Sequence, residues 1–298
     1  MIDSEETLLI GVDGGGTGCR VALGYLSTGV LCEAAGGAAN VSTDLEGALQ
    51  HIKDAVARAI SELGLNLSVL QKVRAHVGVA GLMSQDVAQI MYDQLSYKNN
   101  VITDDRPTTV MGALDGADGL VAAIGTGTFL ASRRDQDQSY IGGWGFHLAD
   151  QGSGAWLARN TLSQALLCYD KVRAHTDLTR QILKQFNNNP VEISTFAAKA
   201  SPAEFGSLCP MVVQAAEVGD EIAQELMNKG ADYIVSGLNA LDMRADEMLI
   251  LTGGVGKYYT SYLQGRLSNS IQKPKNTTVQ GAFKLALLEE QKYLEGTR

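Results

Sequence analysis

The sequence predicts an α/β protein built as two related lobes, each a mixed sheet with helices on its faces. Three observations predict it. Apolar runs and turns in the first 115 residues order as β-β-β-α-β-α-β-α, strands joined first by hairpins and then through helices. A second strand, Gly/Thr turn and strand begins at Gly119, a weak repeat of the N-terminal hairpin. Glycine-rich loops follow predicted strands at 13–18, 125–128, 142–154 and 252–256.

The first loop organises the rest. Leu8 to Val12 is an apolar run that ends in Asp13; Gly14, Gly15, Gly16 and Thr17 follow, and Val21 to Leu23 resumes the strand pattern. Glycines are expected to give this turn positive φ and to let backbone N–H groups approach a ligand closely. A strand-end carboxylate can hold a hydrated cation beside that ligand. Two better-known phosphate loops do not fit. The P-loop needs a Lys after its glycines, and none follows here. The dinucleotide fingerprint needs a third glycine and a helix next, where this sequence continues as a strand.

The remaining elements follow from periodicity and punctuation. Val30 to Ala35 reads as a third strand, and Gly36 to Asn40 as a loop. Thr43 and Glu46 form a capping-box pattern ahead of Leu45, Leu49, Ile52, Val56, Ile60 and Leu63 at helical spacing, with Gly64 as the stop. Lys72 to Ala80 alternates as a strand, Gln85 to Leu95 carries one apolar helical face, and Asn100 to Thr103 is a short strand before Asp104-Asp105. Pro107 is expected to start the next helix. A lobe boundary falls near Ala113 to Gly119, giving lobes over 1–115 and 116–280.

In the second lobe, Gly119 to Ile124 and Phe129 to Ser132 flank Gly125-Thr126-Gly127-Thr128. The loop from Gly142 to Gly154 leads into a helix over Ala155 to Tyr169. Asp177 to Phe186, Val191 to Lys199 and Ala203 to Val218 read as helical insertions, and Asp220 caps a long helix. Glu247 to Leu251 is a strand followed by Thr252-Gly253-Gly254. The last helix, from Gly281, is expected to pack back on the first lobe.

Composition narrows the function. The chain has 298 residues, a length that suits two domains, and a net charge of −9. That charge argues against nucleic acid or an anionic membrane as the main partner. The acidic start has no basic n-region, and no apolar run is long enough to span a membrane. The four cysteines, Cys19, Cys32, Cys168 and Cys209, are scattered, which predicts a reduced, cytoplasmic enzyme. The histidines are scattered too, so no zinc site is expected.

Four glycine loops, two of them matched hairpins, resemble those of the sugar kinase, actin and heat-shock chaperone ATPase superfamily. Within it the chain is similar to the BadF/BadG/BcrA/BcrD-type ATPases, and among these to N-acetylglucosamine and glucosamine kinases. The residues that carry the resemblance are Asp13-Gly14-Gly15-Gly16-Thr17, Thr103-Asp104, Gly125-Thr126-Gly127-Thr128, Gly142-Gly143-Trp144-Gly145, Asp150-Gln151-Gly152-Ser153-Gly154 and Gly253-Gly254-Val255. The resemblance implies two ribonuclease H-like lobes with an active-site cleft between them. It implies that Gly14 to Thr17 bind the β- and γ-phosphates of ATP and that Asp13 holds Mg²⁺, mostly through water. Gly125, Thr126, Gly127 and Thr128 would contact phosphates from the other lobe. Gly253 and Gly254 would let the adenosine lie close. Asn40, Gly143, Trp144, Gly145 and Asp150 would contact an amino sugar, and Asp104 would be the catalytic base. Phe146, His147 and Leu148 would shape the pocket around carbon 2 of that sugar. The analogy extends to a homodimer.

Residue chemistry agrees with these roles. Phosphoryl transfer is catalysed mainly by positioning and charge neutralisation, and one base must sit near the attacking hydroxyl. Asp104 and Asp105 compete for it. Asp105, just ahead of Arg106-Pro107, has a helix-capping role available, so Asp104 is preferred. Asp150 has a capping alternative as well, which Ser153 already fills. Two other functions are weighed. An activator of acyl-CoA reductases or dehydratases needs cysteines for an iron–sulfur cluster, and Cys168 and Cys209 are the only pair in the second lobe. A non-catalytic sugar sensor would usually carry a DNA-binding segment, and no basic face is seen.

Overall fold

A computed structural model describes residues 6–95, 97 and 99–296. The chain divides into two compact units: Met1–Ala117 together with Pro274–Arg298, and Asp118–Lys273.

The first unit runs β1 (Leu8–Gly14), β2 (Cys19–Tyr25), β3 (Gly29–Gly36), α1 (Leu45–Glu62), β4 (Val73–Val79), α2 (Gln85–Leu95), β5 (Asn99–Asp104) and α3 (Asp105–Leu114). The second runs β6 (Gly119–Ile124), β7 (Thr128–Arg134), β8 (Asp137–Gly142), α4 (Gly154–Tyr169), α5 (Asp177–Gln185), α6 (Pro190–Ala197), α7 (Pro202–Gly206), α8 (Cys209–Glu217), α9 (Glu221–Ala240), β9 (Leu249–Thr252), α10 (Thr260–Leu263) and β10 (Ile271–Gln272). The chain then returns to the first unit with α11 (Thr278–Gly296).

Among the described residues each unit holds one five-stranded mixed sheet, ordered β3-β2-β1-β4-β5 in the first and β8-β7-β6-β9-β10 in the second. The two orders are the same pattern: an antiparallel three-strand meander with two parallel strands added beside its first member. The central strands β1 and β6 are buried almost throughout, which explains their unbroken apolar runs.

In the first unit one core lies between the sheet and α1, with Ile10, Val12, Val21, Ile52, Val56 and Val77 at its centre. The opposite face of β1 and β2, Leu9 and Ala22, meets Val279 and Phe283 of α11. In the second unit α4 and α9 pack with α5 to α8 in a single core.

Several local expectations change. The start of α1 is capped by Asp44, which accepts from Gly47 N at 2.9 Å, and the Thr43–Glu46 box does not form. Thr43 instead donates its hydroxyl to the carbonyl of Asn40. The third insertion is two helices, α7 and α8, each opening on a proline in its first turn. The strand β8 carries no clean apolar alternation, because it lies at the sheet edge and is half exposed. The glycines of the first hairpin do not take positive φ. Close packing explains Gly14 instead: a Cβ there would stand 2.8 Å from Val79 Cγ1 and 3.1 Å from Ala39 Cβ.

Candidate active site

In the first unit the parallel strands set the geometry. Register aligns Gly14 with Val79 and Val79 with Asp104, so three strand ends lie in a row at the carboxyl edge of the sheet. That edge is where open α/β sheets bind ligands. The β1–β2 turn closes through Gly15 N to Gly18 O at 2.9 Å, leaving Thr17 exposed at its tip. Asn40 is tied beside it: Ala39 N donates to Gly15 O, Ala80 N donates to Gly14 O, and Asn40 bridges to Ala80. The Asn40 side chain accepts from Ser42 N and Ser42 Oγ, closing its own loop.

Asp13 sits at the end of β1. Burial pushes its carboxyl up to about 6, against the pull of Arg20. It accepts no side-chain hydrogen bond among the described residues. A carboxylate destabilised by burial and accepting no side-chain hydrogen bond fits a cation. No group of three or more metal-ligating side chains exists among the described residues. One carboxylate completed by water and phosphate oxygens is how Mg²⁺ is commonly held, so Asp13 fits that ion.

Asp104 takes the helix-capping role expected of Asp105. Asp104 is the N-cap of α3, accepting from Arg106 N at 2.9 Å, and the helix begins at Asp105. The Arg106 guanidinium also grips both Asp104 oxygens, Nε to Oδ1 and Nη2 to Oδ2, each at 2.8 Å. Burial raises the Asp104 carboxyl, but these bonds and the charge of Arg106 outweigh it, and the group is held below the usual range. Asp105 behaves oppositely. Burial, then the charges of Asp104 and Asp13, push it up to about 7. Three carboxylates therefore act on one another at this edge, one ionised and two resisting ionisation. Arg106 was missed in the sequence; the Asp-Asp-Arg run at a strand end was its only signal.

The raised acid has a stability consequence. A carboxyl whose folded value lies above its unfolded value of 3.8 stabilises the fold below that value, and loses the contribution as pH rises through about 7. Wild-type stability should fall between about pH 4 and 8 for this group. Asp105→Asn should flatten that slope and be the more stable protein at pH 8, by about 1–3 kcal/mol. Urea midpoints measured for both proteins at pH 5 and pH 8, without nucleotide, check this; parallel curves would contradict it.

In the second unit the expected residues converge on the β6–β7 hairpin. Gly125 N donates to Gly127 O at 2.9 Å and closes the turn. Gly154 N and Ala155 N, at the start of α4, donate to Gly125 O and Thr126 O. Gly143 N donates to Thr128 O, which brings the 142–145 loop to the hairpin's base. Gly253 lies with φ +84° against β6; a Cβ there would stand 2.4 Å from Ile124 O. Only glycine fits that approach. Gly254 has open space around its Cα hydrogens.

Asp150 is buried, left-handed at φ +62°, and accepts from Thr128 N at 3.3 Å. Burial raises its carboxyl, opposed by Thr128 N and the charge of Arg159. It does not cap α4: Ser153 does, accepting from Trp156 N. Trp144 is 71% exposed, an unusual state for a tryptophan and the state a sugar-stacking ring requires. Phe146 departs from expectation. It turns inward against Phe205, with the Arg159 guanidinium over its ring, so only His147 and Leu148 of that trio face solvent. The Tyr233 hydroxyl, on α9, stands 2.6 Å from where a Cβ at Gly142 would be; nothing in its helical periodicity pointed to the loop.

Two sheets of one topology, each carrying a Gly/Thr hairpin, with strand-end acids on the first, define the nucleotide-using fold shared by sugar kinases and actin-like ATPases. The chain belongs to the BadF/BadG/BcrA/BcrD ATPase family, whose model it matches over residues 10–286. It is 28% identical to the glucosamine kinase GspK of Vibrio cholerae, over 93% of this chain and 95% of that one. It is 24% identical to the N-acetylmuramic acid/N-acetylglucosamine kinase of Clostridium acetobutylicum, over 83% and 84% of the two chains. A solved structure from Chromobacterium violaceum, classed as an N-acetylglucosamine kinase, superposes with a TM-score of 0.86 at 28% identity, covering 95% of this chain and 99% of that one. No helix among the described residues is long and apolar enough to cross a membrane.

Proposed function

We propose that this protein is an ATP-dependent kinase that phosphorylates the 6-hydroxyl of an amino sugar, glucosamine or N-acetylglucosamine. The observation that carries the reading is the row of strand ends bearing Asp13, Gly14 and Asp104, in a chain similar along nearly its whole length to hexosamine kinases. Gly14 to Thr17 and Gly125 to Thr128 bind the phosphates of ATP, and Gly253 and Gly254 admit the adenosine. Magnesium bound through Asp13 would neutralise charge on the transferring phosphoryl group. Asn40, Gly143, Trp144, Gly145 and Asp150 hold the sugar.

Asp104 is the base. Its partner Arg106 keeps it ionised, and an ionised carboxylate can accept the 6-hydroxyl proton at neutral pH. A weakly basic group suffices, because bond breaking to the leaving phosphate runs ahead of bond formation in a loose transition state. The base therefore orients the hydroxyl more than it strips it.

The cysteines argue against the electron-transfer reading. Cys168 is buried, its thiol donating to the carbonyl of Ala174. Cys209 is buried as well, with its thiol pushed up to about 12. Neither thiol is poised as an accessible thiolate ligand.

ADP release measured with Mg·ATP and glucosamine, N-acetylglucosamine, glucose or no sugar tests the function. Turnover is expected with an amino sugar, with glucose much poorer. ADP release indifferent to every sugar would overturn the kinase reading.

A further inference from the structure

We infer that His76 is a positioning residue: anchored by Glu289 of the C-terminal helix, its ring holds the Thr103 hydroxyl and thereby the end of β5 that presents Asp104. The inference rests on the proposed role of Asp104 as base. It concerns a buried group that the proposed chemistry does not otherwise use.

The sequence of contacts is continuous. On β4, alternate residues Arg74 and His76 face the underside of α11. Arg74 Nε meets Glu290 Oε2 at 2.5 Å, and the same guanidinium lies over the Tyr293 ring. One step along, His76 Nδ1 lies 2.8 Å from Glu289 Oε1, and His76 Nε2 lies 3.2 Å from Thr103 Oγ1. Thr103 Oγ1 in turn donates to the carbonyl oxygen of Asp104 at 2.8 Å. His76 is 3% exposed.

Hydrogen-bond inventory orders the protons. Glu289 Oε1 and His76 Nδ1 share one proton between them. Nε2 then meets Thr103, whose one hydroxyl proton has two acceptors within reach, the ring and the Asp104 carbonyl. The chain is continuous where Nε2–H donates to Thr103 Oγ1 and Thr103 gives its one proton to the Asp104 carbonyl; a ring that accepts at Nε2 takes that proton itself. Glu289 has nothing else to hold it: Oε2 is shielded and has no hydrogen-bond partner among the described residues. A hydrogen-bonded polar network of this kind rigidifies the groups that it joins. The geometry fixed here is the turn from β5 into α3, where Asp104 caps the helix.

The test uses four variants of the full chain: His76→Gln, Thr103→Val, Thr103→Ser and the double His76→Gln/Thr103→Val. Thr103→Val keeps the shape and removes the hydroxyl. It should lower kcat about tenfold while KM for ATP stays within about twofold, the pattern of a displaced acceptor. Thr103→Ser should restore kcat to within about threefold of wild type. The double variant should be no worse than the more severe single, because both break one chain. Amide hydrogen exchange gives a second readout that needs no activity. His76→Gln should speed exchange across 103–109 about tenfold and leave 8–14 unchanged.

Wild-type kcat in Thr103→Val, additive effects in the double variant, or unchanged exchange at 103–109 would each overturn the inference. Should His76→Gln fail to fold, Glu289→Leu removes the ring's anchor from a half-buried helix position, with the same exchange result expected. If the wild-type protein turns over no amino sugar, the kinase reading falls, and the exchange data alone decide the chain from His76 to Asp104.

Discussion

Asp104→Asn should lower kcat by about 10²–10⁴, a loss of about 3–5 kcal/mol of transition-state stabilisation, with ATP binding preserved. The substitution keeps the helix cap, although it also removes the charge that Arg106 grips and one of the two acceptors of its guanidinium. Asparagine is as good an N-cap as aspartate, so Arg106 N keeps its acceptor and α3 keeps its start. What disappears is the anionic oxygen that the sugar hydroxyl needs. Steady-state kinetics with saturating amino sugar, together with nucleotide binding by calorimetry, separate the two effects. The neighbouring carboxyl is the control. Asp105, pushed up to about 7, is only partly ionised at neutral pH, and Asp105→Asn should leave most of kcat in place. If Asp105→Asn abolished turnover and Asp104→Asn spared it, the base would be Asp105, and Arg106 would be holding Asp104 only as a cap.

Gly11→Val should destabilise the protein by about 3 kcal/mol, the upper end of what overpacking costs. Gly11 lies in the middle of β1, where a valine would ordinarily favour the strand. The structure decides otherwise. A Cβ at Gly11 would stand 2.2 Å from Phe283 N and 2.6 Å from Phe283 Cα. Those are backbone atoms of α11, which cannot rotate away as a side chain could. The same close seating recurs where a Cβ at Gly281 would meet Thr108 O at 2.2 Å and Gly112 N at 2.4 Å. Equilibrium denaturation in urea measures the loss. A wild-type midpoint for Gly11→Val would mean that α11 does not seat on β1 at this distance.

These two residues mark where the sequence could be read and where it could not. Asp104 was legible as a candidate because it closes a short strand and precedes a helix, a local pattern that needs no knowledge of neighbours. Its partner was not. Arg106 reads as an ordinary solvated charge until the backbone turn from β5 to α3 brings its guanidinium round to the carboxylate. The cap assignment failed for the same reason: adjacent aspartates offer identical chemistry, and backbone φ and ψ alone choose between them. Phe146 looked like a pocket residue by its place in a glycine loop, yet the aromatic cluster with Phe205 draws it inward.

The sequence by itself determined the class of most elements, though not of β8, α10 or β10, together with the two-lobed α/β organisation, the glycine hairpins and the acids at strand ends. These are local properties: periodicity, chain-stopping residues and strand-end chemistry act within a few residues of one another. Only the tertiary structure decided which glycines are required by contact and which carboxyls resist ionisation. It also decided that a histidine on β4 meets a glutamate 213 positions away. Burial, close approach and the His76–Glu289 contact arise between segments far apart in the chain, and even the near pair Asp104 and Arg106 meets only through the backbone turn between them.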